Sequence, residues 1–343
     1  MRKLLNTLFV ISDNSYLALE NNTVVVYQGE KRMGQYPLSM LEGIISFSYR
    51  GASPSLMGAC VENNVSLCFM SPQGRFLARA SGKSRGNILL RKEQYRISDS
   101  AEKSLKIAKG FIFGKVYNAR WTLERTLRDH ALRVDEEKLE NASMVLQQKQ
   151  SKIMEADSLE RLRGIEGDAA SEYFHAFDAM ILNQKDSFRF DGRVKRPPTD
   201  PVNAMLSFGY SILANDCAAA LESVGLDAYV GFLHQDRPGR QSLALDLMEE
   251  FRCPMVDRMV LTLINRREIT AKQFEIQENG ATYLNDDGRK IFLKAWQSRK
   301  TEELTHPYLE EKIVWGLVPY VQALLLARYI RGDLDGYPPF LWK

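Results

Sequence analysis

The sequence predicts an α+β fold, with a small N-terminal β-sandwich-like domain followed by a larger all-α domain. Short alternating or wholly apolar runs fill the first 80 residues, and helical periodicity dominates from about residue 101 onward. A small, basic stretch, SGKSRGN, separates the two patterns. We expect the β domain at 1–82, a basic linker at 83–100 and the α-helical domain at 101–343.

The N-terminal region is predicted as strands joined by turns. YLALE and TVVVYQ flank Asn21 and Asn22 and predict a hairpin, while GIISFS, VSLCFM and RFLARA predict further strands. Ser71–Gly74 is typical of a tight turn. The first apolar stretch faintly resembles a signal peptide, but Asn6 and Thr7 interrupt it and no small-residue cleavage site follows. We interpret it as a first strand and expect a cytoplasmic protein.

The C-terminal region shows helix signals throughout. Residues 101–130 form a strongly basic helical segment, and Asp200 and Pro201 suit the N-cap and first position of another helix. Pro254 is expected to start a further helix. The last apolar segment predicts a long terminal helix, from THPYLEEK onward, that Pro319 kinks or breaks.

Composition and charge narrow the function classes. No apolar run reaches the roughly 18 residues of a membrane span, and the four cysteines are too scattered for a zinc knuckle or disulfide framework. The net charge is only +3, but Gly74–Arg128 holds 14 Lys and Arg against 4 Asp and Glu. This asymmetry is equally typical of a polyanion-binding surface and of a solvated helical surface.

Glu166 is the most unusual acidic residue. At 100° per residue it lies at about 40° on a helical wheel, within an apolar stripe between roughly −40° and +80°. The stripe consists of Leu162, Ala169, Ala170, Tyr173, Ala176, Phe177 and Met180. A carboxylate directed into a core is costly unless it is paired, hydrogen-bonded or metal-bound, so a buried arginine pair and a metal ligand are both open. Gly164 and Gly167 beside it fit either a close ligand approach or tight helix packing.

A second acidic group follows a lone histidine in GFLHQDRPGRQSLALDLMEEFR. His234 lies in a loop of turn-forming residues, and Asp246 and Glu249 are neighbours at i, i+3 that could face one metal. A solvated acidic helix face and a structural histidine are the more common situations for these residue types. The wheel does not choose between Glu249 and Glu250.

This segment and several others resemble one known family. With LLRKEQYR, GIEGDAASEYF, RPPTDPVNAMLSFGYSIL and VQALLLARYIRGDLDGYPPFLWK in the same order, the whole chain resembles the CRISPR-associated integrase-nucleases of spacer acquisition, the "Cas one" family. The amino-acid sequences of these segments are most similar to those of subtype I-C.

The resemblance implies a metal-dependent DNA endonuclease and integrase that inserts spacer DNA into a CRISPR array. It implies Glu166, His234 and Glu249 as the metal ligands, with Asp246 as a second acidic position near the metal. The family often has Asp where this chain has Glu249, so whether Asp246 or Glu250 also coordinates stays open. Two carboxylates and an imidazole suit Mg²⁺ or Mn²⁺.

The resemblance also implies binding partners. These are double-stranded and branched DNA, the repeat–spacer array, a second copy of the chain in a homodimer, and the small "Cas two" protein that bridges such dimers. The residues expected to contact DNA phosphates are Lys103, Lys106, Lys109, Lys115, Arg120, Arg193, Lys195, Arg196, Arg237 and Arg240. Tyr117 and Trp121 could stack on bases but are more typical of a core. A stand-alone structure-selective nuclease or repair enzyme, or a non-catalytic DNA-binding scaffold, are the alternatives, and a scaffold needs no carboxylate within an apolar stripe.

Overall fold

The computed structural model describes residues 6–82 and 88–343, and residues 7–79 contain two β-sheets. The strands are β1 (Thr7–Val10), β2 (Ser15–Glu20), β3 (Thr23–Gln28), β4 (Lys31–Pro37), β5 (Gly43–Ser46), β6 (Ser66–Met70) and β7 (Phe76–Arg79). One sheet has the order β1-β5-β6-β7 and the other the order β2-β3-β4. The predicted first strand is therefore present, paired in parallel with β5.

The predicted turns of this region are confirmed. Asn21 and Asn22 both have positive φ, 47° and 59°, as a two-residue hairpin turn with the twist of its strands requires. Gly74 has φ +84°, and its N–H donates to the Ser71 carbonyl over 2.8 Å. One helix, α1 (Pro54–Glu62), was not predicted. It is the crossover that the parallel pairing of β5 and β6 requires.

The predicted linker is wrong over much of its length. Residues 83–87 lie outside the described part of the chain, but Ile88–Ser98 form a helix, α2. Its Gln94 side chain donates to the carbonyls of Asp227 and Val230 over 2.8 and 2.9 Å. Residues 88–98 therefore pack on the helical region, because α2 has a buried face that includes Leu90.

Eight further helices build the larger domain. They are α3 (Ala101–His130), α4 (Glu136–Glu155), α5 (Leu159–Phe177), α6 (Pro201–Ser223), α7 (Ser242–Met248), α8 (Arg258–Asn265), α9 (Asp286–Thr301) and α10 (Val318–Ile330). The N-terminus of α6 is as predicted, since the Asp200 carboxylate accepts the Asn203 N–H over 2.8 Å and Pro201 occupies the first turn. Among the described residues α6 is the one helix long and apolar enough to cross a membrane, but 72% of its apolar window is buried inside the fold.

Two C-terminal predictions need correction. The domain is not all-α, because two small antiparallel sheets lie within it, formed by β8 (Phe274–Ile276) with β9 (Thr282–Leu284) and by β10 (Glu303–Thr305) with β11 (Lys312–Val314). The long terminal helix is also wrong. The helical part is limited to a 3₁₀ turn at Trp315–Leu317 and to α10, and Pro319 lies in the first turn of α10, where the missing N–H costs nothing.

The packing of α3 creates the space for a site. This 30-residue helix contacts α4 and α5 along one side and the segment after α7 along another. That segment, Arg252–Asp257, is a π-helical turn that contains Pro254 and leads directly into α8. Single π-helical turns inside helices occur frequently at functional sites.

Candidate metal centre

A cavity of about 410 Å³ lies between α3, α5, α6 and the chain that runs from the 231–240 loop into the π-helical turn. Glu166 of α5, His234 of the loop and Glu249 just after α7 all line it, so the three residues that the family resemblance implies lie around one cavity. The packing of α3 against α5 and the turn after α7 brings together residues 83 positions apart in the chain.

One ammonium group joins the two carboxylates. Lys115 Nζ donates to Glu166 Oε1 and lies 2.8 Å from Glu249 Oε2. The Glu166 side chain keeps 27% exposure, because the apolar stripe on which it lies faces the cavity there and not a closed core. Its partner is a lysine, so the alternative of a buried arginine pair is wrong. Space is open around Gly164 and Gly167, which argues against tight packing as the reason for these glycines.

Glu249 is held by two cations. Arg252 donates to both of its oxygens, from Nε over 2.9 Å and from a terminal nitrogen over 3.0 Å. Burial acts to raise the pKa of the Glu249 carboxyl, but the charges of Arg252 and Lys115 outweigh it and hold that pKa well below its usual range. Glu249 is therefore an anion, and an anion is what a hard divalent cation requires.

Asp246 lies beside the cavity, in contact with the predicted ligand His234. Its carboxylate accepts the N–H groups of Phe232, Leu233 and His234 over 2.7, 2.9 and 3.0 Å, and it lies 2.6 Å from His234 Nδ1. It is fully buried and does not line the cavity. Asp246 therefore fixes the loop and engages Nδ1 of His234, which leaves Nε2 as the ring nitrogen for a ligand.

The prediction that the acidic residues at the end of α7 form a solvent-exposed face is wrong. Asp246, Glu249 and Glu250 are 0%, 4% and 0% exposed, because α7 has only seven residues and is packed on all sides. Glu250 faces away from the cavity and accepts hydrogen bonds from Tyr337 Oη over 2.6 Å and from Phe340 N over 2.7 Å. Burial raises its pKa to about 8. The structure thus places Glu249 in the cavity and Glu250 against the C-terminal segment.

The cavity residues fit a divalent cation once Lys115 withdraws. No three Asp, Glu, His or Cys side chains of the described chain stand close enough together to hold a metal as they are. However, one ammonium already contacts both Glu166 and Glu249, so a single cation can reach both carboxylates. With His234 Nε2 in the same cavity, the donor set is two carboxylates and an imidazole, which suits Mg²⁺ or Mn²⁺.

The predicted phosphate-binding residues are only partly beside this cavity. Arg193, Arg237 and Arg240 line it, whereas Arg196 is exposed and does not. Arg193 is fixed by Asn203 Oδ1 at 2.6 Å. Arginines at the wall of an open cavity are suited to hold phosphate oxygens.

The basic residues of α3 do not form one surface. Lys103 and Lys106 are exposed, and Lys106 pairs with Glu102, whereas Lys109 donates to the Met154 carbonyl over 2.7 Å. Lys115 lies about half a turn of the helix from Lys106 and points into the cavity. The continuous DNA-binding stripe expected from the sequence is therefore interrupted.

Two arginines that support the candidate ligands were not predicted. Arg163 donates twice to the Leu233 carbonyl, over 2.8 and 3.2 Å, and so supports the histidine loop. Arg252 holds Glu249. The sequence contained a signal for both arginines, because each lies three positions from a predicted acidic ligand and residues at that spacing are neighbours on a helix. Below them, Tyr173 and Tyr210 donate to the buried carboxylate of Asp257 over 3.0 and 2.5 Å at the cavity floor.

Comparison with known proteins identifies relatives of the whole chain. The family model for CRISPR associated protein Cas1 matches residues 8–298. A CRISPR-associated endonuclease Cas1 of Chlorobaculum tepidum is 49% identical over 343 residues, covering 100% of both chains.

Solved structures with the same fold are more distant in sequence. A casposase bound to its integration product superposes with a TM-score of 0.85 at 23% identity, covering 98% of this chain and 94% of the other. A chain of a Cas6-RT-Cas1–Cas2 complex superposes with a TM-score of 0.82 at 24% identity, covering 98% of this chain and 36% of the other. At these identities the likeness establishes the shared fold.

Proposed function

Because the chain belongs to the CRISPR-associated Cas1 family, we propose that it is a divalent-metal-dependent DNA endonuclease and integrase that inserts spacer DNA into a CRISPR array. The observation that carries this proposal is the cavity in which the ammonium group of Lys115 contacts both Glu166 and Glu249 beside His234. We assign these three residues as the ligands of Mg²⁺ or Mn²⁺. The subtype I-C and a cytoplasmic location complete the proposal.

Different residues of the cavity have different roles in phosphoryl transfer. A bound divalent cation would orient the target phosphate and withdraw negative charge from it. Asp246 keeps His234 in a fixed orientation, and Arg163 supports the same loop from its Leu233 carbonyl. Arg193 and Lys195 at the cavity wall would bind the nonbridging phosphate oxygens. Lys115 would exchange its carboxylate partners for a phosphate.

No protein nucleophile is needed for integration. The 3′-hydroxyl of the incoming spacer attacks the target phosphate and displaces one of its two bridging oxygens, which leaves as a hydroxyl at the new end of the target strand. Water takes the place of the 3′-hydroxyl in cleavage. Both reactions use the same groups, so the cavity supports an integrase and a stand-alone nuclease equally. The family favours the integrase, and the paired carboxylates argue against a scaffold without activity.

We assign duplex and branched DNA, the repeat array, a second copy of the chain and the Cas2 protein as partners. Support for Cas2 comes from the presence of a chain with this fold in a Cas6-RT-Cas1–Cas2 complex. The homodimer is proposed from the family resemblance.

The test is integration of a labelled duplex with free 3′-hydroxyls into a repeat-bearing plasmid, with and without Cas2. Glu166→Ala and Glu166→Gln should abolish joining and branched-DNA cleavage while DNA affinity stays within about twofold, because phosphate-binding residues are left intact. Glu172→Ala, an exposed acid on the same helix, is the matched control and should keep activity. Joining by a folded Glu166 variant in Mg²⁺ or Mn²⁺ would refute the assignment. Cleavage without joining, even with Cas2, would favour the stand-alone nuclease.

A further inference from the structure

Three arginines surround one tryptophan at a second cavity. The guanidinium carbons of Arg125, Arg258 and Arg299 lie 3.9, 4.5 and 6.0 Å from the Trp342 ring centroid. They come from α3, α8 and α9, and they line an open cavity of about 630 Å³. We refer to these three residues as the arginine cluster.

The positive charge of the cluster is compensated only in part, by Asp129 and Glu302. Arg299 pairs with Glu302 and donates to the Pro254 carbonyl over 3.2 Å, and Arg125 donates to the main-chain oxygen of Lys343, while its buried Nε has no partner among the described residues. Within residues 6–82 and 88–343, Arg258 makes no hydrogen bond or ion pair. Burial, together with the charges of Arg125 and Arg299, lowers the pKa of Arg258 to about 10. A partly buried cation among like charges is unfavourable unless an anion approaches it.

Stacking on Trp342 does not account for all three residues. The Trp342 ring is already contacted closely by Arg125, and Arg299 stacks mainly on Trp315, with its guanidinium carbon 4.3 Å from that ring centroid. Stacking also uses the face of a guanidinium, whereas its N–H donors lie along the edge. The edges of Arg258 remain available to a ligand in the cavity.

The position of the cluster along α3 indicates which anion it would bind. Arg125 follows Lys115 of the metal cavity by ten residues, which is about 15 Å along the helix axis and about a quarter turn around it. Adjacent phosphates of one duplex strand are about 3.4 Å apart along the DNA axis. A strand with one phosphate at the metal cavity could therefore place another, four or five nucleotides away, at the cluster.

We propose that the arginine cluster is a second phosphate-binding site, which holds the backbone of a DNA strand about four or five nucleotides from the phosphate at the metal cavity. The proposal rests on the proposed DNA function. It favours DNA over an acidic protein segment because α3 contributes side chains to both cavities. Trp342 is held by its main-chain N–H, which donates to Asn118 Oδ1 over 2.9 Å, so the site is built by the C-terminal segment.

The experiment measures duplex binding by fluorescence anisotropy in EDTA over a range of salt concentrations. Arg258→Gln should weaken binding about eightfold at 0.1 M salt and lower the slope of log K against log salt by about 0.9, as expected for one lost phosphate contact. Arg125→Gln should behave in the same way, and Arg258→Lys should keep the slope. The control is Arg96→Gln, an exposed arginine on α2 paired with Glu93, which should keep both quantities within error.

A neutral methylphosphonate scan locates the contact. Native protein should lose affinity when the substitution is four or five nucleotides from the cleavage position, and folded Arg258→Gln should not. Mn²⁺ binding at Glu166 should be the same in both, which separates this test from the test of the proposed function. An unchanged salt slope in both glutamine variants would overturn the proposal. So would unchanged DNA binding with weakened binding of poly-glutamate, which would indicate an acidic protein partner.

Discussion

Replacing Lys115 should strengthen metal binding, although it removes a residue of the candidate site. The Lys115 ammonium lies 2.8 Å from Glu249 Oε2 and also donates to Glu166 Oε1, where a divalent cation would have to bind. A metal can reach both carboxylates only when this ammonium leaves. Lys115→Met keeps the length of the side chain and removes its charge, so the metal no longer has a competitor.

The size of the effect follows from the two ion pairs. Lys115 and Glu166 retain 14% and 27% side-chain exposure, so solvent screens them in part. A partly exposed pair contributes about 1 kcal/mol. The Lys115–Glu249 pair is more buried, since Glu249 is only 4% exposed, but the cost of desolvation offsets much of its attraction. At about 1 kcal/mol for each pair the sum is about 2 kcal/mol, which corresponds to a roughly 30-fold lower dissociation constant for the metal. Arg252 still holds Glu249 in the variant, so this clamp lowers metal affinity equally in both proteins.

The assay is direct titration of metal-free protein with Mn²⁺, followed by electron paramagnetic resonance of the free ion and by calorimetry. Lys195→Met is the matched control, because Lys195 lines the same cavity but, within the described part of the chain, forms no ion pair with either carboxylate. Its effect on the dissociation constant should be less than about threefold. A folded Lys115→Met protein with affinity no higher than the native protein would refute the competition. It would then follow that Lys115 supports the metal site instead of opposing it.

Three further predictions concern single residues. Asp246→Asn should weaken Mn²⁺ binding about 10- to 100-fold by calorimetry, because the amide no longer fixes the loop and ring of His234. Glu249→Gln should abolish metal-dependent cleavage of branched DNA, whereas Glu250→Gln should keep it, because Glu250 faces the C-terminal segment; the reverse order would contradict the assignment of Glu249. Burial lowers the pKa of His306 below 6.5, so its contribution to stability, present above that value, is lost as the pH falls through the folded pKa. Urea unfolding at about pH 7.5 and 5.5 should show this loss, and His306→Asn should reduce it; an equal loss in the variant would contradict it.

Local signals in the sequence predicted the elements whose cause is local. The Asn21–Asn22 hairpin and the Asp200 cap depend on side chains within a few residues, and both are confirmed. The crossover helix α1 was missed because its need arises from the parallel pairing of β5 with β6, a long-range contact. The supposed terminal helix failed for a related reason, since the strands β10 and β11 pair with each other across a turn that periodicity does not reveal.

The candidate site shows the same division. Glu166 could be found from the sequence because a charged carboxylate is unusual within an apolar stripe. Periodicity gave no means of finding that the residue facing it is Lys115, 51 positions away. In the sequence, Lys115 is one of several lysines of the same basic helix, and it was therefore grouped with Lys103 and Lys106. Its position on the opposite side of α3 was present in the 100° spacing, so a wheel of the basic residues would have separated it from the exposed stripe.

The three acids at the end of α7 explain why a short motif can serve several tasks. Asp246 points back to the histidine loop, Glu249 into the metal cavity and Glu250 toward Phe340 of the C-terminal segment. Successive residues of a helix point about 100° apart, so one turn reaches three neighbours when it is packed on every side. Glu249 and Glu250 are consecutive, and therefore a small rotation of this turn would move both at once. The backbone that places the metal ligand Glu249 is thus tied, through Glu250 and Phe340, to the C-terminal segment that places Trp342.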